Sequence, residues 1–103
     1  MAEVVFRRAA LRDLERIVLR IDVDDPGAAR RFRDRILNCI DILRDFPESA
    51  QPRPEFGTGV RTIPIGRYIV FVRVTLPNVT VLRILHGARD LPRIMKPNPS
   101  ARP

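Results

Sequence analysis

The chain is poor in the residues on which most small-protein chemistry depends. Its 103 residues include one cysteine, Cys39, one histidine, His86, one tyrosine, Tyr68, and one lysine, Lys96. A lone cysteine excludes an internal disulfide and fits a reducing compartment, so a cytoplasmic address is expected. One cysteine and one histidine cannot build a structural zinc site. No apolar run approaches the ~20 residues needed to cross a bilayer, and the N-terminus has no signal-peptide apolar segment. Gly57-Thr58-Gly59 and Pro26-Gly27-Ala28-Ala29 lack the spacing and strand-to-helix context of a phosphate loop. No Ser-His-Asp arrangement has local support. Neither a cofactor, a metal nor a membrane is therefore expected as a partner.

Acid is the other scarcity, and it is local. Residues 1–55 carry eleven basic and eleven acidic side chains, which cancel. Residues 56–103 carry eight basic groups (Arg61, Arg67, Arg73, Arg83, Arg89, Arg93, Lys96 and Arg102) against Asp90 alone. The net charge of +7 therefore sits wholly in the second half. Almost all of it is arginine, whose planar fork suits carboxylates and phosphates, so an anionic partner is expected. No aromatic stacking platform accompanies these groups, so tight nucleic-acid binding by the chain alone is not expected.

What is present reads as one α+β domain over residues 1–96, with 97–103 a flexible tail. Glu3 to Arg8 is short and β-branched, a first strand. Ala10, Leu14, Ile17, Val18 and Ile21 fall at helical spacing over about residues 9–21. Asp25 is a good N-cap and Pro26 suits the first helical position, so a second helix starts there and runs to about Asp45. Its stripe is Ala29, Phe32, Ile36, Cys39, Ile40 and Leu43, which makes Cys39 core filler. After a polar Pro/Gly-rich loop come three strands, "VRTIPI", "YIVFVRVT" and "VTVLRILH". Gly66-Arg67 and a turn around Pro77-Asn78 make them an antiparallel meander. The order is β-α-α-β-β-β, with the helical hairpin on one sheet face, the first strand at an edge, and a short helical element at Leu91 to Met95.

In that order and spacing, "RDLERI", "DDPGAARRFRDRI", "FPESAQPRPEFGTGVRTIPIGRYIVFVRV" and "VLRILHGARDL" resemble the RelE/ParE superfamily of type II toxin–antitoxin toxins, the ParE branch in particular. The match spans about Val4 to Ile94. The resemblance implies a plasmid-stabilising, growth-arresting toxin that inhibits DNA gyrase by binding it. It also implies hetero-oligomers with an acidic antitoxin that neutralises the toxin.

The resemblance to the RelE side of the superfamily implies an enzymatic alternative, a ribosome-dependent mRNA endonuclease. Its parts would be His86 as general acid or base, Arg73 or Arg83 as phosphate clamp, and Tyr68 nearby. Against it, His86 reads as a strand-end histidine bonded to backbone and Tyr68 as a half-buried ring. Binding without chemistry is the preferred reading. If the strands keep their apparent register, Ile69, Phe71, Arg73, Val81, Arg83 and Leu85 share one sheet face. Val70, Val72, Val74, Leu82 and Ile84 would face the helices. The first set would be a partly open cationic groove for an antitoxin helix or strand. Arg61, Arg67, His86, Arg89 and Arg93 are candidates for touching the target. Gly87 is expected to end the last strand with a positive φ.

Overall fold

The computed structural model describes residues 1–90. The chain forms β1 (Glu3–Phe6), α1 (Arg8–Asp24), α2 (Pro26–Asp45), β2 (Gln51–Pro52), a 3₁₀ turn (Pro54–Phe56), β3 (Val60–Ile65), β4 (Tyr68–Thr75) and β5 (Asn78–His86). The strands make one sheet in the order β1-β5-β4-β3-β2. The meander is antiparallel, while β1 joins the edge beside β5 in parallel, Glu3 opposite Asn78 through Phe6 opposite Val81. Relative to the expected order, only the two-residue β2 and the 3₁₀ turn are additions. The element at Leu91–Met95, Arg93 and the tail 97–103 lie outside the described residues.

Local chemistry accounts for the helix boundaries. Arg7 stands at the start of α1 with no side-chain cap. α1 runs three residues past Ile21, because nothing in Asp22-Val23-Asp24 breaks it before Asp25-Pro26 does. The Asp25 carboxylate then accepts the Ala28 N–H at 3.1 Å and caps α2, with Pro26 in the first turn. Gly66 opens the β3–β4 turn at φ 59°, a conformation that glycine adopts without Cβ strain.

The main core lies between the helical hairpin and the sheet. Ala10 and Ile17 of α1 and Phe32, Ile36, Cys39 and Leu43 of α2 meet Val70, Val72, Val79, Val81 and Ile84. Burial pushes the Cys39 thiol up to about 11 from its ordinary 9.0. The unfolded chain ionises this thiol first, so folded stability is fully present below pH 9 and falls as pH rises from 9 to 11. Urea unfolding at pH 8 and pH 10.5 is expected to show a larger loss for the native chain than for Cys39→Ala, and equal losses would contradict this.

A smaller cluster, Val60, Phe71, Leu82 and Leu85, occupies the opposite sheet face. This corrects the expected faces in three ways. Thr75 pairs with Asn78, so the β4–β5 connection is Leu76-Pro77, one residue earlier than the sequence indicates. A bulge then sets Val72 opposite Val81 but Phe71 opposite Arg83, leaving Leu82 as the extra residue. Val81 is thereby turned to the helices and Leu82 away from them. The face is also not an open groove: Phe71 is 0% exposed and Leu85 1%. Phe56, brought over by the 3₁₀ turn, stands edge-on to Phe71 with centroids 5.4 Å apart.

Candidate functional site

The two arginines expected to line a common groove are each engaged, and in opposite directions. β1 reaches only as far as Val81, so the far half of β5 has no strand neighbour on that side. The first half of α1 lies there instead. Asp13, 1% exposed, accepts the Ile84 backbone N–H at 3.0 Å. Arg83 wraps this edge with a two-pronged clasp, Nε to Asp13 Oδ2 at 2.7 Å and Nη2 to Oδ1 at 3.0 Å. Arg16 adds a third donor at 2.7 Å. The bonds to Asp13 raise the Arg83 pKa further above its ordinary value. Arg73 leaves on the β3 side, where its Nε donates to the Thr58 carbonyl at 3.2 Å. Both arginines therefore hold the fold together. Asp13 was not singled out in the sequence, although its place between Ala10 and Ile17 on the buried stripe is the signal that marks it.

Tyr68 and His86 do come together. They are register partners, and their rings meet edge-on at 5.4 Å. Phe32 from α2 stands edge-on to Tyr68 at 5.3 Å. His86 Nδ1 accepts the Arg89 N–H at 3.1 Å, and the His86 N–H donates to Asp90 at 3.1 Å. Arg89 Nε pairs with Asp90 at 3.1 Å, and this bond holds the Asp90 carboxyl below the usual range. The strand end is thus a closed clasp. Gly87 is not at positive φ, contrary to expectation. Glycine suits the position because a Cβ there would lie 3.1 Å from Ile69 Cδ1.

Among the expected target contacts, Arg61 is committed elsewhere. Its Nη1 donates to the carbonyls of Glu48 at 2.8 Å and Ala50 at 2.9 Å, fixing the loop into β3. Arg67 is exposed in the β3–β4 turn. No cluster of metal-ligating side chains and no helix long and apolar enough to cross a membrane occurs among the described residues.

Residues 4–91 match the family model described as "ParE toxin of type II toxin-antitoxin system, parDE". The chain belongs to the ParE toxin family. It is 31% identical over 86 residues to "Putative toxin Y4kP" of Sinorhizobium fredii (strain NBRC 101917 / NGR234), covering 84% of this chain and 88% of that one. A solved chromosomal ParDE system from P. aeruginosa superposes with a TM-score of 0.69 at 25% identity, over 84% of this chain and 96% of the other. The RelB–RelE antitoxin–toxin complex from Methanococcus jannaschii gives a TM-score of 0.61 at 17% identity, over 87% and 98%. The RelE likeness is one of fold alone. The protein is thus a ParE-type toxin of a type II toxin–antitoxin system.

Proposed function

We propose that this toxin arrests growth in the cytoplasm by binding DNA gyrase, without chemistry of its own, and that an acidic antitoxin encoded beside it neutralises it in a hetero-oligomer. The observation that carries the reading is the engagement of both candidate phosphate-clamp arginines and of one ring nitrogen of the histidine. Arg83 is tied to Asp13, Arg73 to the Thr58 carbonyl, and the only histidine uses Nδ1 on the Arg89 backbone while its ring packs against Tyr68. A nuclease needs such groups aimed at a 2′-hydroxyl and its phosphate. The family match supports the same reading, as does the pairing of toxin with antitoxin in the similar ParDE system from P. aeruginosa. Purified toxin added to gyrase is expected to block supercoiling, and added antitoxin to restore it. Unimpaired supercoiling by a preparation that arrests growth would refute gyrase as the target.

The ring pair at the end of β4 and β5 favours a second reading, since Tyr68, His86 and Arg89 share one end of the sheet. His86→Ala separates the two readings. The variant is expected to lose about 1 kcal/mol of stability from the backbone bond and ring contact, and to arrest growth as the native toxin does. Growth counts after induction, with melting curves of both proteins, check this.

A further inference from the structure

The sheet covers only part of the apolar surface that the helical hairpin carries. Ala10 and Ile17 of α1 are buried against it, and Leu14, Val18 and Ile21 pack at the margin of that core. Leu11 and Leu19 continue the apolar surface beyond that margin. With Leu37 of α2, they are each at least half exposed. Leu11, Glu15 and Leu19 are spaced by four residues, so they rise in one line along α1. Between this line and α2 lies a hollow of about 570 Å³, walled by Leu11, Leu14, Val18 and Leu19, with Glu15 and Arg33 as its charged members. Leu37 stands one turn along α2 from Arg33 and extends the patch. Glu15 and Arg33 are both exposed, and neither makes an ion pair among the described residues.

We infer that two copies of the free toxin pack these hairpin faces together about a two-fold axis. Leu11 and Leu19 of each copy enter the hollow of the other, and Glu15 of each meets Arg33 of the other. Charge selects this occupant. A two-fold contact sets a patch against itself, so it is favourable where the patch carries both signs. Residues 8–45 hold nine arginines against eight acids, whereas the arginine excess of the second half would set cation against cation. An acidic partner would find one cation here with Glu15 beside it, and the phosphates of nucleic acid or lipid would meet the same carboxylate. Area sets the strength. Helices of 17 and 20 residues are about 25 and 30 Å long and pack about 10 Å apart. The face they offer is on the order of 500 Å² per copy, below the ~800 Å² of a standard interface. The dimer is therefore weak, with a Kd of about 10–100 µM.

The test is sedimentation velocity of the purified full-length toxin from about 5 to about 500 µM, at physiological ionic strength. The native protein is expected to shift from the mass of one 11.8 kDa chain to that of two. Glu15→Arg and Arg33→Glu each set like charges at both contacts, and each is expected to raise Kd at least about 10-fold. Mixed in equal amounts, these two variants restore opposite charges at both contacts and are expected to dimerise within about three-fold of native. Leu11→Ser/Leu19→Ser, at exposed positions, is expected to weaken the dimer at least about 10-fold without unfolding α1. Arg67→Glu, a charge change in the exposed β3–β4 turn, is expected to leave Kd within a few-fold of native. Circular dichroism confirms that each variant is folded. A toxin that stays monomeric over the whole range overturns the inference. So does a dimer that both charge swaps leave intact, one that the mixture fails to restore, or one that Arg67→Glu weakens equally. A monomeric toxin whose antitoxin binding falls with the same swaps assigns the face to the antitoxin and also overturns it.

Discussion

Replacing Asp13 with alanine is expected to destabilise the fold by about 3–5 kcal/mol, a loss typical of breaking a buried ion pair from one side. The melting temperature should drop on the order of 15 °C. Three things fail together. The Ile84 N–H, at a β5 edge that β1 does not cover, loses its acceptor. The Arg83 side chain, only 26% exposed, loses both prongs of its clasp. The first half of α1 loses its polar tie to the sheet. Arg16, 66% exposed, can turn to water at little cost and adds little to the total. In a double-mutant cycle, Arg83→Met made in the Asp13→Ala background should cost less than in the native chain, with a coupling of about 1–3 kcal/mol. Urea unfolding of the four proteins measures it. A loss below about 1 kcal/mol for Asp13→Ala would show that the clasp is incidental.

Phe71→Ala is expected to cost about 3–5 kcal/mol, the range for emptying a buried aromatic site. The sheet face away from the helices is a second core, and Phe71 is its largest fully buried member, with Phe56 edge-on beside it. Were that face an open trough awaiting a partner, Phe71 would already be hydrated in the free toxin and its removal would cost well under 1 kcal/mol. Denaturant unfolding of Phe71→Ala and the native chain decides the point.

The elements were legible because their punctuation is local. Asp25-Pro26 restarts a helix, Gly66 turns a hairpin, and Pro47 follows the end of α2, so each boundary is written in a few residues. The core stripe of α2 followed from its 3.6-residue period, including Cys39. What failed was long-range. The bulge at Leu82 exists only between two strands, and shifting pairing by one residue exchanged Val81 with Leu82 between faces. The partners of Arg73 and Arg83 lie at Thr58 and at Asp13, 70 positions from Arg83, distances over which periodicity says nothing. Asp13 was hidden by its setting, an Arg-Asp-Leu-Glu-Arg run that reads as a solvated helix surface. The sequence puts Tyr68 and His86 near the ends of adjacent strands, but the bulge makes them register partners, since the Leu76-Pro77 turn alone would set Tyr68 opposite Leu85.

The most direct measurement is gyrase supercoiling titrated with native toxin and with His86→Ala side by side, with ribosome-bound transcripts incubated in parallel. Binding without chemistry predicts that both proteins block supercoiling over the same concentrations and that the transcripts stay whole. Untouched supercoiling, with transcripts cut by the native toxin and spared by His86→Ala, would contradict it.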